Sequence, residues 1–224
     1  MKRTYRIFLL LLAASALLSL CGCKIGKIKE TTYPTYTTAA STYRYETYAS
    51  LDTETTYNPD YVTIVELNGT AADISGGGAS VSEGFLTITS AGNYVLSGNF
   101  NGQIIIDANS LADVHLFFSN LTVTSDISAP LYVKSARKAV ITLVTGTENR
   151  LYAPSTYNYV DEYDESEACI YSKSDITING DGSLLVNDEY NIAIYAQNLI
   201  IVSGDITIYA KNCAIYGEET VTVS

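Results

Sequence analysis

The feature that most constrains the fold is a repeat in the last third of the chain. An Ile-Tyr pair occurs at residues 170–171, 194–195 and 215–216, so that successive pairs are 24 and 21 residues apart. Two further short apolar runs with strand-like alternation lie between one pair and the next. A repeated unit of about 22 residues with three short strands is typical of a parallel β-helix. An antiparallel sandwich also has many short strands, but it does not repeat marker residues in one phase.

The alternation within each repeat indicates which side chains face the core. If Ile194 points inward, the apolar positions of the neighbouring strands point inward and the tyrosines point outward. The same phase directs Cys169 outward and Cys213 inward, two repeats or roughly 10 Å apart. Because a disulfide needs Cα atoms within about 7 Å, we expect these two cysteines to be unpaired.

The β pattern begins at about residue 61 and continues to the end of the chain. Short alternating runs are separated by Gly, Asn, Asp and Ser, and no stretch shows helical periodicity over three turns. We therefore predict one all-β domain, residues 61–224, folded as a parallel β-helix. The sequence ends at Thr222-Val223-Ser224 inside a predicted strand, so we expect either a longer natural chain or a cap of another kind.

The first residues have the features of an export signal. Basic residues precede an apolar run of about a dozen residues, which is too short to cross a ~30 Å hydrocarbon core. The segment Leu20-Cys21-Gly22-Cys23 resembles a bacterial lipobox, and Cys23 fits better than Cys21 because Leu20 is too bulky for the position before the lipidated residue. We predict a lipoprotein signal peptide over residues 1–22, lipidation at Cys23 and anchoring outside the bacterial cell membrane. An ordinary secretory peptide is the alternative.

Residues 23–60 differ in composition from the rest of the chain. They are rich in Thr and Tyr and have few Leu, Ile or Val side chains to bury, so burial cannot offset the entropy of folding. We predict a disordered tether; a glycosylated Thr-rich stalk is the alternative.

The net charge of −11 excludes one class of partner. Nucleic-acid binding requires a surface rich in Lys and Arg, which this chain lacks. An acidic polysaccharide could be held only with cations in between.

Four segments in order resemble a known family: LTITSAGNYVLSG (86–98), GQIIIDA (102–108), ITLVTGTEN (141–149) and ITINGDGSL (176–184). Together they look like the carbohydrate-binding domain family of clostridial surface lipoproteins. Known members are right-handed β-helices resembling pectate lyases that bind calcium, cellulose and acidic sugars. The resemblance covers about residue 61 to the end. It implies a right-handed β-helix and a polysaccharide partner, cellulose or pectin-like.

Calcium is less well supported than the fold. Members of the family usually carry paired acids at rung corners, whereas here the matching corners begin with Asn191 and Asn212, and only Asp175 keeps a carboxylate. A calcium ion needs six to eight oxygen ligands with several charges among them. The acidic insertion supplies the remaining metal candidates, with a solvated acidic loop as the alternative. The candidate ligands are Asp161, Asp164, Glu165, Glu167 and Asp175.

The sequence contains no recognisable catalytic arrangement. Its only histidine, His115, lies within an apolar strand, where a structural role is expected. Arg137 and Arg150 belong to no catalytic motif, and no pairing of a nucleophile with a base can be identified. We predict that the protein is not an enzyme; a degenerate polysaccharide lyase is the alternative.

The outward tyrosines are the candidate binding residues for sugar. Tyr132, Tyr171, Tyr195 and Tyr216 are expected in one column, with Tyr209 on a neighbouring face. Rungs ~4.8 Å apart would space such rings much like the sugars of an extended chain, and tyrosine has both apolar faces and a hydroxyl. The alternative is a self-stacking column that stabilises the fold and exposes ring edges.

These observations predict a lipid-anchored protein on the cell surface that binds polysaccharide along a β-helix face without catalysis. The alternative from another class is a structural or adhesive surface protein whose β-helix binds proteins or pairs through its open C-terminal edge.

Overall fold

A computed structural model describes residues 48–158 and 167–224 of the chain. Within these ranges the fold is all-β, as predicted, with one four-residue helix, α1 (Ser50–Thr53), and a short 3-10 turn at Pro59–Tyr61. The strands are β1 (Val62–Gly69), β2 (Ala71–Ser75), β3 (Ala79–Ser82), β4 (Phe85–Ile88), β5 (Gly92–Asn101), β6 (Gln103–Asp107), β7 (Asp113–Thr124), β8 (Leu131–Ser135), β9 (Lys138–Leu143), β10 (Glu148–Tyr152), β11 (Ala168–Ser172), β12 (Asp175–Gly180), β13 (Ser183–Asp188), β14 (Ile192–Ile201), β15 (Asp205–Ala210) and β16 (Cys213–Val223).

Most strands pair in parallel, in three stacks that belong to one continuous sheet. The first stack contains β4, β6, β8, β11 and the starts of β14 and β16. The second contains β1, the starts of β5 and β7, then β9, β12 and the ends of β14 and β16. The third contains the ends of β5 and β7, then β10, β13 and β15.

The predicted repeat corresponds to the strand register. Ile170 in β11 lies opposite Leu131 on one side and Ile194 on the other, and Ile194 lies opposite Ile215. Leu131, Ile170 and Ile194 are fully buried. The inward phase is therefore right for these strands, because stacking equivalent apolar side chains builds a continuous core.

The N-terminal end departs from the expected all-parallel arrangement. Strands β1 and β2 form an antiparallel hairpin, and so do β3 and β4. The turn between β3 and β4 is the two residues Glu83 and Gly84, with φ of 51° and 80°. Positive φ at both positions is the geometry of a tight hairpin turn that matches strand twist. Hairpins thus form this end of the sheet.

The predicted outward orientation of Cys169 is wrong. Cys169 is fully buried and belongs to the core cluster, whereas Cys213 is only partly buried and lies outside that cluster. Strict alternation fails because Cys169 and its neighbour Ile170 are both completely buried at the start of β11. Within the described residues no disulfide joins Cys169 to Cys213.

The last part of the predicted tether, residues 23–60, contacts the β domain. Residues 49–57, which we call the strap, lie over the outer face of the second stack. Asp52 is 2 % exposed, forms an ion pair with Lys138 and accepts a hydrogen bond from Thr177 at 2.5 Å. The composition of this segment favours disorder because it has no apolar stripe to bury. The strap is held instead by one buried carboxylate, that of Asp52.

The leader, Cys23 and the tether as far as residue 47 lie outside the described residues. Among residues 48–158 and 167–224, no helix has the length and apolar character needed to span a membrane.

The last strand leaves apolar surface exposed. In the described chain β16 pairs with β14 alone. Val221 and Val223 are 45 % and 53 % exposed. Val223 and four isoleucines of β14 to β16 line a cavity of about 430 Å³.

Candidate functional site

The outward tyrosines of the first stack form the column that the sequence predicted. Tyr132, Tyr171, Tyr195 and Tyr216 lie opposite one another in successive parallel strands. Tyr209 belongs to β15 in the third stack, on a different face. The structure therefore brings four of the five candidates together and places the fifth elsewhere.

The rings of this column stack on one another. The Tyr171 and Tyr195 centroids are 4.7 Å apart at an interplanar angle of 13°, and those of Tyr195 and Tyr216 are 5.3 Å apart at 7°. Tyr132 is tilted by 55° against Tyr171 and is 5 % exposed. The faces of Tyr171 and Tyr195 are therefore occupied by neighbouring rings. A sugar approaching from the side would meet ring edges, and Tyr216, 48 % exposed, is the most accessible of the four.

Tyr195 shows that the column is also tied down by polar contacts. Its hydroxyl donates to Glu218 Oε2 at 3.1 Å. Burial, with the neighbouring Glu218 carboxylate adding to it, raises the pKa of Tyr195 to about 12. The phenol therefore stays protonated at ordinary pH and keeps its donor role.

We expect Tyr195→Leu to lower the free energy of unfolding by about 2 kcal/mol. Tyr195 stacks on two rings, and each aromatic pair contributes about 0.5–1.5 kcal/mol beyond area burial. Tyr216→Leu should cost about half as much, because within the described residues Tyr216 stacks on Tyr195 alone. Urea denaturation of both variants measures the difference, and equal losses would contradict the stacking account.

The third stack presents a second face, on β10, β13 and β15. Its outward side chains align across the three strands in a grid, and all are at least partly exposed. One row of the grid contains Arg150, Leu185 and Thr207; the next contains Tyr152, Asn187 and Tyr209. We call these six residues, with Glu148, Ser183 and Asp205 of the remaining row, the third-stack face.

A groove of about 310 Å³ crosses the third-stack face. Tyr209 lines it with a ring that is 59 % exposed, and Thr207 and Asp205 add polar groups. Arg150, which also lines the groove, donates to Glu148 Oε2 at 2.6 Å within β10. Exposed aromatic and hydrogen-bonding groups thus lie together along three strands.

Sequence reasoning found Tyr209 but missed the residues around it. Arg150, Leu185 and Thr207 occupy equivalent outward positions of strands one repeat apart. The phase of the repeat therefore predicts that these three side chains share one outward row, but the prediction from sequence applied this phase only to the tyrosines.

The predicted metal ligands fall into two groups. Asp161, Asp164 and Glu165 lie outside the described residues. Glu167 accepts a hydrogen bond from Asn191 at 3.1 Å, and Asp175 accepts one from Asn198 at 2.8 Å. Among residues 48–158 and 167–224, no cluster of three or more His, Cys, Asp or Glu is placed to hold a metal ion.

The corner asparagines explain how these carboxylates are satisfied. Asn212 donates to Asn191 Oδ1 at 2.9 Å, and Asn191 donates in turn to Glu167. An amide supplies N–H donors that a carboxylate lacks. Side-chain amides thus give these corners hydrogen bonds where paired carboxylates would need a cation.

His115 has the structural role expected of it. It is 3 % exposed, stacks on Phe117 at 4.1 Å and contacts Thr142 Oγ1 at 2.6 Å through Nε2. Burial lowers its pKa to about 4. It is therefore neutral at pH 7 and shielded from a substrate at the surface.

The cations of the described chain all have close partners. Four lie beside carboxylates, and the ammonium groups of Lys173 and Lys211 lie 5.7 Å and 5.9 Å from tyrosine ring centroids. The ion pairs are Lys134–Asp107, Arg137–Asp113, Lys138–Asp52 and Arg150–Glu148.

Comparison with known proteins supports a common origin for most of the domain. A curated protein of Acetivibrio thermocellus, described as a carbohydrate-binding domain-containing protein, is 42 % identical over 136 residues, which are 59 % of this chain and 48 % of that protein. The chain thus spans about half the length of this relative. The solved structure of a polysaccharide lyase-like protein from C. thermocellum, a gadolinium derivative, has a TM-score of 0.70 and 36 % identity, covering 72 % of this chain and 67 % of that one.

The family itself follows from a match that includes every strand from β4 onward. The model of the family described as carbohydrate-binding domain-containing protein matches residues 82–224. The sequence resemblance is thereby confirmed, and the chain belongs to the family of carbohydrate-binding domain-containing proteins.

Proposed function

We propose that this protein binds polysaccharide without catalysis, and that it does so on the third-stack face. The observation that carries this proposal is the exposed Tyr209 ring in a groove with Arg150, Asp205 and Thr207. Sugar recognition needs an apolar platform for C–H groups and nearby polar groups for hydroxyls. The face also extends over three parallel strands, a length suited to several sugar units in a row.

The same proposal includes a right-handed parallel β-helix with three strands per rung. It is supported by the three stacks of parallel strands, by the recurrence of three strands in each repeat and by the likeness to the lyase-like structure. In such a helix the tyrosine column, the strap and the third-stack face lie on three different sides.

The non-catalytic part of the proposal rests on the chain's own side chains. His115 is buried, and Arg137 and Arg150 are engaged by carboxylates. A lyase needs a free base beside the sugar to remove a proton. Incubation with polygalacturonate should therefore release no unsaturated sugar detectable by ultraviolet absorbance, and enzyme-like accumulation of such product would contradict this part.

Charge favours an uncharged glycan over an acidic one. The net charge of the whole chain is −11, and the one cation on the third-stack face is paired with Glu148. A polyuronate would approach this surface against repulsion unless cations intervened. Of the two expected ligands, cellulose thus fits better than a pectin-like chain.

The cell-surface location is also part of the proposal. It rests on the basic and apolar leader, residues 1–22, and on the lipobox-like segment ending at Cys23. A lipid at Cys23 would hold the protein outside the cell membrane, where a binding domain for environmental polysaccharide has its ligand. Labelling with radioactive palmitate, compared with a Cys23→Ser control, tests the anchor.

Tyr209→Ala should reduce binding to cellulose about tenfold and leave stability nearly unchanged. The ring is exposed, so its loss removes the sugar platform and little packing, and tenfold corresponds to about 1.4 kcal/mol. Tyr61→Ala is the matched control, because Tyr61 is 77 % exposed but lies outside the groove. A depletion assay with insoluble cellulose measures both, and equal binding by the two variants would place the site elsewhere.

A further inference from the structure

The second stack is unusual because its strands are buried on both faces, the outer face as well as the face toward the core. Every residue of β9 is buried, as are the outward residues Phe117, Thr177 and Asn179 of the neighbouring strands. No second sheet covers this face in the described chain. Its cover is the strap, a single extended segment with one helical turn.

The strap is a thin cover held at few points. Asp52 is its one buried residue, and residues 53–57 are all exposed. Tyr57 packs the edge of its ring against Phe117, with centroids 4.8 Å apart. An open groove of about 370 Å³ lies between the strap, Phe117 and Thr142, so the strap does not cover this face completely.

The side chain of Asn179 donates hydrogen bonds to the backbone of the strap. Its Nδ2 group donates to the carbonyl oxygens of Asp52 at 2.9 Å and Glu54 at 3.0 Å. Thr142 donates to Asn179 Oδ1 at 2.5 Å, so its hydroxyl oxygen accepts from His115 Nε2. His115, Thr142 and Asn179 are all nearly fully buried. This chain of hydrogen bonds fixes the side-chain amide with its N–H groups directed at the strap.

Two other side chains bind the Asp52 carboxylate of the strap. Lys138 and Thr177 both donate to Asp52 Oδ1. Together with Asn179 they bind one carboxylate and two backbone carbonyls, at the helical turn that contains Asp52 and at Glu54 directly after it. Such a set of preoriented donors is a recognition site in its own right, because a mere packing contact would not need it.

We propose that the outer face of β7, β9 and β12 is a peptide-binding groove, and that the strap is its exchangeable ligand. The ligand class is an acidic peptide that forms one helical turn, with an aspartate carboxylate in that turn and a carbonyl acceptor two residues later. The partner that carries this chemistry is the strap of a second copy of the chain. In one copy the occupied groove fixes where the N-terminal segment leaves the domain; between copies it links neighbours.

The test offers the strap in trans to the full chain. A fluorescent peptide of residues 48–58 is titrated into the wild-type chain, whose groove is occupied, and into Asp52→Asn, whose own strap is weakened. A control peptide carries Asn at the position of Asp52. The Asp52→Asn chain should bind the native peptide at least tenfold more tightly than the wild-type chain does, and at least tenfold more tightly than it binds the control peptide.

Hydrogen exchange of Asp52→Asn provides the second measurement. Amides of residues 49–57 should exchange at least tenfold faster than in the wild-type chain, with the strands unchanged. If strands β7, β9 and β12 open together with the strap, the strap is an integral part of the fold and the proposal is wrong. Failure of the Asp52→Asn chain to bind the native peptide, or equal binding of the two peptides, also overturns it.

Discussion

Replacing Gly180 with alanine is expected to lower the free energy of unfolding by about 3 kcal/mol or more. Gly180 ends β12 with a φ of +99°, a conformation that L residues rarely adopt. A Cβ there would also clash with the backbone carbonyl of Leu143 in the adjacent strand. Backbone strain of about 1–3 kcal/mol and overpacking of a similar size act together.

Gly146→Ala is the control for the conformational part alone. Gly146 has a φ of +75°, but a Cβ there meets nothing within 4 Å. We expect a loss of about 1 kcal/mol, which is the backbone strain without a clash. Chemical denaturation of both variants separates the two effects. Similar losses at Gly146 and Gly180 would show that Gly180 of β12 does not lie this close to Leu143 of β9.

The second large effect is a loss of stability in acid that depends on His115. Burial lowers the pKa of His115 to about 4 from 6.5, so the folded state binds its proton less well than the unfolded state. The stabilisation is therefore complete above pH 6.5 and is lost as the pH falls towards 4. A shift of this size corresponds to about 3 kcal/mol.

Two carboxylates also make stability depend on pH, and their contributions are opposite to each other in sign. Burial acts to raise the pKa of Asp52, but the hydrogen bonds from Lys138, Thr177 and the Ala49 amide and the charge of Lys138 together lower it, so its contribution is also lost in acid. Burial raises the pKa of Asp188, so its contribution instead grows as the pH falls. Comparing the wild-type chain with His115→Gln cancels both, because the carboxylates are common to the two chains.

The measurement is the free energy of unfolding from pH 7.5 to pH 4.5 for the two chains. The wild-type chain should lose more stability than His115→Gln over this range, with the gap opening below pH 6.5. Parallel pH curves would show that His115 is not buried as a neutral imidazole.

The sequence predicted the repeat well because the repeat is encoded by side chains that face the core. Ile170, Ile194 and Ile215 are in register as expected. Cys169 was assigned to the wrong side because alternation breaks down at the start of β11, where three successive residues are buried. A rule based on period two cannot anticipate such a corner.

The strap was missed because its attachment is polar and long-range. Asp52 reaches Lys138 and Thr177, which are 86 and 125 residues away in sequence. No local pattern announces such a pair. The sequence signal for the strap lies in the strand that it covers. Val140 and Thr142 are at outward positions of β9, which is buried throughout, and this is typical of a strand covered on both faces.

The tyrosine column was predicted in position but not in ring orientation. Register follows from spacing, so Tyr171, Tyr195 and Tyr216 align. Whether rings stack on one another or lie flat for a ligand depends on side-chain torsions, which spacing does not determine. The self-stacking alternative describes the geometry of these rings, and the candidate platform moves to Tyr209.

The most direct test of the account is retention of the purified chain on insoluble cellulose and on immobilised polygalacturonate, each with calcium and with chelator. The account predicts retention on cellulose that survives the chelator, and weaker or calcium-dependent retention on polygalacturonate. No retention on either matrix, by a chain shown to be folded, would contradict the claim that this protein binds polysaccharide.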